Sequence, residues 1–338
     1  MHTRRSAIAI SAAGVAATWA GTAAAQAQTT GSIERLEPEL DGLIAPGTSV
    51  EKAVGGFRFL EAPMWRRSGV LWLSDLVGNI VYEWKPGDKP VEVLNPGGYD
   101  GHDMPDGSYQ GPNGMAPGPK NTVTLCQHGN RRIVSLDRNK KLTVLVDRFE
   151  GKRLNSPNDL AYAPDGSFYF TDPPYGLVKG DNDPAKELPF NGVYRYDKGK
   201  LQLLIQDIPT PNGIALSPDY KTLYVTDAKG PQRRWRRYDV GADGGVSNGR
   251  VFVDASASKE PGTTDGLELD SAGNLYATGP GGIWVMTPQG KHLGTIKLPE
   301  SPTSAAFGGR DGKTLYITAR TSIYSVQVKI AGLKPPNF

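Results

Sequence analysis

The chain has 338 residues, which is enough for one large domain or two ordinary ones. It carries 38 Lys and Arg against 35 Asp and Glu, and this near balance argues against a nucleic-acid-binding surface. The 42 glycines and 27 prolines, with no heptad or long amphipathic run after the N-terminus, argue against a helical protein. The composition therefore favours a turn-rich β fold.

The first 27 residues have the pattern of an export signal. Arg4 and Arg5 precede an apolar run over 7–17, and small residues follow up to the Ala-Gln-Ala at 25–27. This order is typical of a secretory signal peptide, and the arginine pair resembles a twin-arginine signal. We expect residues 1–27 to be cleaved and the mature protein to be periplasmic and free of the membrane. A retained membrane anchor is the alternative, although the apolar run is short for a span.

A short β-like phrase recurs six times along the rest of the chain. The copies are LWLSD (71–75), VTLCQ (123–127), FYFTD (168–172), LYVTD (223–227), LYATG (275–279) and LYITA (315–319). Further alternating apolar runs follow each copy, so each repeat supplies about four strands, which is one propeller blade. Two β-sandwiches would also explain the strands but not the six matched phrases.

The repeats therefore predict an all-β fold, a six-bladed β-propeller over residues 31–328 with a metal site in its central channel. Residues 329–338 are expected to form a C-terminal tail. The early segment over 49–59 is expected to supply the strand that closes the ring with the last blade. Cys126, the one cysteine, excludes an internal disulfide and is expected to be buried as a small apolar residue.

The prediction of a metal site depends on a residue with a side-chain oxygen that stands about 11 to 13 residues before the centre of each phrase. These residues are Glu61, Asn113, Asn158, Asn212, Asp265 and Thr303. Equivalent innermost positions of a propeller converge at one end of the channel. Carboxylates and amides brought together there repel or lack partners unless a cation binds them, although hydrogen bonds to the backbone are the alternative. Oxygen ligands favour Ca²⁺, with Mg²⁺, Mn²⁺ and Zn²⁺ as other possibilities.

Two long polar segments are expected to shape a pocket at the channel mouth. They span 95–114 and 173–192, and both are too long for tight hairpins. Tyr175, in the second segment, is a candidate substrate contact.

Two segments carry a resemblance to a known family. SPNDLAYAPDGSFYFTDP (156–173) resembles the hallmark segment of the senescence marker protein/gluconolactonase family, also called regucalcin-like. CQHGNRRIVSLD (126–137) is similar to its bacterial gluconolactonase branch. The resemblance covers nearly the whole mature chain and implies a six-bladed propeller that holds a divalent cation, usually Ca²⁺.

The resemblance also implies roles for individual residues. The metal ligands it implies are Glu61, Asn158, Asn212 and Asp265, of which Asp265 is also the base and Asn158 lies at the metal or the substrate. It further places His128 and Asn130 near the substrate mouth, and Asn113 beside the substrate or behind the ligands.

The resemblance therefore implies the metal-dependent hydrolysis of a sugar lactone, such as glucono-1,5-lactone, to the aldonic acid. The cation would polarise the lactone carbonyl and Asp265 would activate water. His128 is a candidate proton shuttle near neutral pH. The partner is then a small-molecule lactone, with no nucleic acid. An organophosphate or ester hydrolase on the same propeller and a non-catalytic calcium-dependent binding protein are the alternatives.

Overall fold

The structure is a computed structural model that describes residues 28–228 and 230–336, so the predicted signal peptide at 1–27 lies outside the described residues. Strands dominate this part of the chain. The described residues form no α-helix, and only three short 3₁₀ turns occur among them, at Pro38–Gly42, Pro119–Asn121 and Gly180–Asn182. None of these turns is long and apolar enough to cross a membrane.

Six antiparallel sheets form six blades around a central channel. From the axis outwards, blade 1 contains Leu60–Arg66, Val70–Asp75, Ile80–Trp84 and Val91–Leu94; blade 2 contains Pro112–Gly118, Thr122–Gln127, Arg132–Leu136 and Leu142–Val146; blade 3 contains Leu160–Tyr162, Phe168–Asp172, Gly192–Asp197 and Lys200–Ile205. Blade 4 contains Pro211–Leu216, Thr222–Asp227, Arg234–Val240 and Val246–Asp254; blade 5 contains Leu267–Leu269, Leu275–Gly279, Gly282–Met286, His292–Lys297 and Ser32–Arg35; blade 6 contains Ser304–Gly308, Thr314–Ala319, Ser322–Gln327, Val50–Gly55 and Gln28–Thr29. A small hairpin, Arg148–Phe149 with Lys152–Arg153, follows blade 2.

The innermost strand of each blade contacts that of the next blade, and the innermost strand of blade 6 contacts that of blade 1. The ring is therefore closed, and the six-bladed propeller that the repeats predict is confirmed. The alternative of two sandwiches is wrong, because the sheets do not pair into two separate stacks.

Each repeated phrase forms the second strand of its blade, and this strand is buried on both faces. Its side chains alternate between two interblade cores. In blade 3, Phe170 packs with Cys126 and Ile133 of blade 2, whereas Tyr169 packs with Ile214 of blade 4. Because both faces are covered, the first three positions of each phrase are apolar, with Thr124 as the exception. Cys126 is fully buried, as expected.

The N-terminal segment fastens the last two blades. Val50–Gly55 pairs antiparallel with Ser322–Gln327, which confirms that the early segment closes the ring. Ser32–Arg35 adds a fifth strand to blade 5. Trp65 of blade 1 stacks on Tyr316 of blade 6 with ring centroids 5.4 Å apart. Both ends of the chain thus contribute to blade 6, which leaves no open edge between the first and last blades.

The C-terminal residues lie against the last blades. The backbone N–H of Lys329 donates to the Leu43 carbonyl at 2.7 Å, and that of Leu333 donates to the Leu269 carbonyl at 2.9 Å. The tail over 329–336 is therefore attached at the face of the propeller opposite the Asn and Asp residues that precede the repeated phrases.

Candidate active site

The oxygen-bearing residues lie where the innermost strands depart from regular pairing. In blades 1, 2 and 4 the register with the second strand shifts at Glu61, Asn113 and Asn212. In blades 3 and 5 the innermost strand begins only after Asn158 and Asp265. An irregular position of this kind turns a side chain out of the sheet, so these five side chains are free to point along the axis.

Five of the six expected residues meet in one place. Glu61, Asn113, Asn158, Asn212 and Asp265 all line a single cavity of about 10 Å³, which is room for about one water-sized body. Thr303 is the exception. Its hydroxyl donates to the Leu60 carbonyl at 2.7 Å and is 2.8 Å from the Thr318 hydroxyl, so it satisfies the strand backbone of blades 6 and 1.

Hydroxyl groups in the repeated phrases hold the backbone of this ring. The Ser74 hydroxyl donates to the Asn113 carbonyl at 2.7 Å, and the Thr171 hydroxyl donates to the Asn212 carbonyl at 2.6 Å. Each of these bonds joins one blade to the next. The fourth position of the phrases LWLSD and FYFTD therefore sets where the neighbouring blade presents its amide side chain.

The aspartates that end the phrases LWLSD and FYFTD have a structural role. The Asp172 carboxylate accepts from the backbone N–H groups of Asn155 and Ser156, both at 2.8 Å. The Asp75 carboxylate accepts in the same way from Arg58 and Phe59. These carboxylates hold the turn that leads into the innermost strand.

A glycine after the ring residue lets adjacent blades approach closely at the axis. A Cβ on Gly114 would lie 2.4 Å from the Asn158 carbonyl oxygen, and a Cβ on Gly213 would lie 2.4 Å from the Asp265 carbonyl oxygen. Any side chain at these positions would therefore collide with the backbone of the next blade.

Asp159 occupies this position in blade 3 and breaks the pattern. Its carboxylate accepts from the Ile214 N–H of blade 4 at 3.1 Å and from its own neighbour Leu160 at 2.8 Å, and it lines the same small cavity. Asp159 is not among the site residues predicted from the sequence. The signal was present, because blade 3 has Asn-Asp where blades 2 and 4 have Asn-Gly.

Three carboxyl groups line this small cavity, of which Glu61 is buried and Asp159 and Asp265 are partly exposed, and the charges of the two aspartates disfavour ionisation of their neighbours. Burial, then the charges of Asp265 and Asp159, raise the pKa of Glu61 well above its usual value. Burial, then Asp159, raises the pKa of Asp265 to about 7, against hydrogen bonds from Asn212 and Gly266. Burial raises the pKa of Asp159 to about 6. An excess of negative charge in a small cavity favours a bound cation.

The donor set fits a hard cation. Within the described residues, no group of three or more His, Cys, Asp and Glu side chains is arranged to hold a metal ion, so a cation here would depend on amide oxygens as well as on Glu61 and Asp265. Carboxylate and amide oxygens together are the ligands that Ca²⁺ takes in proteins. The identity of the metal, and its presence, stay predictions.

His128 lies directly behind two of the amides. Its side chain is fully buried, and its Nδ1 is 2.8 Å from the Tyr109 carbonyl oxygen. Its Nε2 is 3.2 Å from Asn113 Nδ2 and 3.3 Å from Asn158 Nδ2. Burial lowers the pKa of His128 to about 4. The imidazole is therefore neutral at ordinary pH, and its role in proton transfer stays a prediction.

Tyr175 reaches the site from the long segment of blade 3. Its hydroxyl is hydrogen-bonded to the Asn212 side chain, and burial, then the charge of Asp265, raises its pKa. The Ser156 hydroxyl fixes this segment, because it donates to the Pro173 carbonyl at 2.6 Å and accepts from the Gly176 N–H at 2.8 Å. Tyr175 therefore offers a protonated hydroxyl next to the ring.

Asn130 is not brought to the cavity. Its Nδ2 donates to Gln127 Oε1 at 3.2 Å, and its Oδ1 accepts from the Asp100 N–H at 3.4 Å. These contacts attach the long segment before blade 2 to the second strand of that blade. The predicted contact of Asn130 with substrate is neither supported nor excluded by this placement and stays a prediction.

A wide axial cavity of about 1630 Å³ extends from the small cavity towards the opposite face. Ala62, Asp159 and Ser304 line both. Glu268 also faces the wide cavity, and burial, then the charge of Asp159, raises its pKa to about 8. The small cavity is therefore the narrow end of a longer channel.

Comparison with known proteins identifies the family of the chain. Residues 59–321 match the family described as the SMP-30/Gluconolactonase/LRE-like region. A gluconolactonase of Zymomonas mobilis is 36% identical over 317 residues, which cover 90% of this chain and 88% of that protein.

Solved structures share the fold. A gluconolactonase of Xanthomonas campestris superposes with a TM-score of 0.75 at 28% identity, covering 88% of this chain and 94% of that one. A calcium-binding protein, regucalcin, of Agrobacterium tumefaciens gives a TM-score of 0.66 at 20% identity, covering 84% and 94%, and this likeness shows the fold alone. The family match spans most of the chain and the Zymomonas relative spans nearly all of it; the chain belongs to the SMP-30/gluconolactonase/LRE-like family.

Proposed function

We propose that this protein is a metal-dependent lactonase that hydrolyses a sugar lactone, glucono-1,5-lactone or a close analogue, to the aldonic acid. The observation that carries the proposal is the convergence of Glu61, Asn158, Asn212 and Asp265 on one small cavity, where the two carboxyl groups resist ionisation in the absence of a cation. The gluconolactonase of Zymomonas mobilis, whose alignment covers 90% of this chain, supports the choice of substrate. The enzyme is thus a carboxylic-ester hydrolase.

In this proposal Glu61, Asn158, Asn212 and Asp265 hold the cation, which is Ca²⁺ in the first instance, with Mg²⁺, Mn²⁺ or Zn²⁺ as substitutes. When bound, the cation supplies an electrophile that stabilises the negative charge developing on the lactone carbonyl oxygen. The chain itself supplies part of the orientation, because the Asn158 amide faces His128 of blade 2 and the Asp265 carboxylate accepts from Asn212 of blade 4.

The remaining residues bind the sugar and move the proton. The Tyr175 hydroxyl and the Asn113 amide contact substrate hydroxyl groups at the mouth. Asp265 takes one proton from the attacking water while the water oxygen bonds to the lactone carbonyl carbon. The bond from that carbon to the ring oxygen then breaks, the ring oxygen takes up the proton as a hydroxyl group, and the new carboxylic acid ionises in solution.

A panel of aldonolactones, followed with a pH indicator, tests the proposal. The protein is first freed of metal ions with a chelator. It is then assayed alone and with each of the four cations, and every rate is corrected for spontaneous hydrolysis. We expect turnover of a sugar lactone to depend on added cation and Asp265→Asn to be folded and inactive. Rates equal to the spontaneous rate for every lactone and cation would refute the proposal, and calcium binding without turnover would favour a binding protein.

We also propose that the mature enzyme is periplasmic. The support is the sequence pattern of residues 1–27. Expression in a bacterium with and without a functional twin-arginine pathway, followed by fractionation and N-terminal sequencing, tests this. Full-length protein retained in the cytoplasm with its first 27 residues intact would show that the segment is not an export signal.

A further inference from the structure

The two ring nitrogens of His128 have different partners, and these partners determine the tautomer. A backbone carbonyl can only accept, so the contact of 2.8 Å with Tyr109 requires a proton on Nδ1. Nε2 then carries a lone pair and must accept. It faces the amide groups of Asn113 and Asn158, at 3.2 and 3.3 Å. These two contacts come from different blades.

This arrangement determines which way two site amides point. An asparagine amide has nearly the same shape when its oxygen and nitrogen are exchanged, so packing alone hardly distinguishes the two orientations. A bare Nε2 does distinguish them, because it accepts from an NH₂ group and repels a carbonyl oxygen. With both Nδ2 atoms turned to His128, the carbonyl oxygens of Asn113 and Asn158 are left for the cavity that both residues line.

The surroundings of His128 keep it in this state. The side chain is fully buried, and the segment that carries Tyr175 packs directly over it. A Cβ on Gly176 would lie 2.7 Å from the Cβ of His128, so only glycine allows this approach. Both ring nitrogens are occupied by partners within the protein, which leaves neither of them facing the cavity.

We infer that His128 is a positioning residue: anchored to the Tyr109 carbonyl, it uses one lone pair to turn the amides of Asn113 and Asn158 so that their oxygens face cation and substrate. This inference rests on the proposed function of the site. It replaces the role in proton transfer that the sequence suggested. In this arrangement the imidazole contacts neither the cation nor the lactone.

Two isosteric substitutions separate the functions of the two nitrogens. Glutamine places a carbonyl oxygen near the position of Nε2, whereas asparagine places an NH₂ group near that of Nδ1 and leaves the Nε2 position empty. We expect His128→Gln to stay within about fivefold of the wild-type calcium affinity and kcat/KM, the cost of about one neutral hydrogen bond. His128→Asn is expected to lose about 10- to 100-fold in both, as for other residues that orient ligands.

The same pair of variants tests the alternatives. A proton shuttle predicts that both variants lose kcat alike and keep calcium affinity. A purely structural role predicts that both lower the melting temperature and that calcium affinity, measured on the folded fraction, is unchanged in both. Either result would overturn the inference. Asp88→Asn, at an exposed residue of blade 1 outside both long polar segments, is the control and should match the wild type.

Calcium affinity is measured by calorimetry and needs no lactone. If the wild type hydrolyses no lactone but His128→Asn binds calcium more weakly than His128→Gln, the proposed function fails and the inference stands. A direct spectroscopic test needs neither metal nor substrate. The ¹⁵N chemical shifts of His128 in the chelated protein should show a protonated Nδ1 and a bare Nε2, and a proton on Nε2 would overturn the inference.

Discussion

Replacing Asp265 by asparagine is expected to stabilise the cation-free protein while it abolishes activity. Burial and then the charge of Asp159 raise the pKa of Asp265 from 3.8 to about 7. A raised pKa means that the folded protein binds this proton more tightly than the unfolded chain does. The free energy of unfolding therefore falls progressively as the pH rises from 3.8 to about 7. Above this range the folded protein bears the full destabilisation from the ionised Asp265.

The size of the effect follows from the same shift. The rise in pKa corresponds to about 4 kcal/mol at most, since one unit is about 1.4 kcal/mol. Asparagine has the same shape and no charge, but it accepts less strongly from Asn212 and Gly266, whose hydrogen bonds favour the carboxylate. We therefore expect Asp265→Asn to gain about 2 kcal/mol in the free energy of unfolding at about pH 8 and almost nothing at about pH 4.

Urea unfolding in the presence of a chelator at these two pH values measures the gain. Excess calcium should then reverse the order, because binding stabilises the wild type by mass action and the variant has lost a ligand. Asp88→Asn, at an exposed surface aspartate, is the control and should be neutral. An Asp265→Asn variant that is no more stable than the wild type at about pH 8 in chelator would refute the reasoning.

Three further perturbations test other parts of the structure. Glu61→Gln should weaken calcium binding by at least about tenfold in calorimetry, and an unchanged affinity would remove Glu61 from the ligand set. Hydrogen bonds from Ser322, Thr321 and Tyr324 lower the pKa of Glu300 from 4.5 to about 2, although partial burial acts in the opposite direction. The Glu300 carboxylate therefore contributes its full stabilisation above pH 4.5, and this stabilisation is lost as the pH falls to about 2. Glu300→Gln should lower stability at neutral pH by about 1 kcal/mol and remove this acid-dependent part, so parallel curves of stability against pH for variant and wild type would contradict the assignment. Thr171→Val should cost about 1 to 2 kcal/mol in thermal unfolding because it removes the bond to the Asn212 carbonyl, and Thr171→Ser should retain most of it; equal losses would show that the methyl group matters instead.

The sequence by itself determined the number of blades and the positions of their second strands. The information is local and repeated: a strand covered on both faces carries a run of apolar residues instead of a strict alternation, and six such phrases recur at blade-sized intervals. It also determined that Glu61, Asn113, Asn158, Asn212 and Asp265 occupy equivalent places, because equal distance from a repeated phrase means an equal position in a blade.

Only the tertiary structure decided which equivalent positions work together. Thr303 has the right spacing, but its hydroxyl donates to the backbone carbonyl of Leu60 in blade 1, which lies 243 residues away in the sequence. Asp159 joins the site because its carboxylate reaches Ile214, 55 residues further on, and His128 reaches Asn158 across 30 residues. Such contacts depend on the angle at which blades pack around the axis, and no pattern within one repeat specifies that angle.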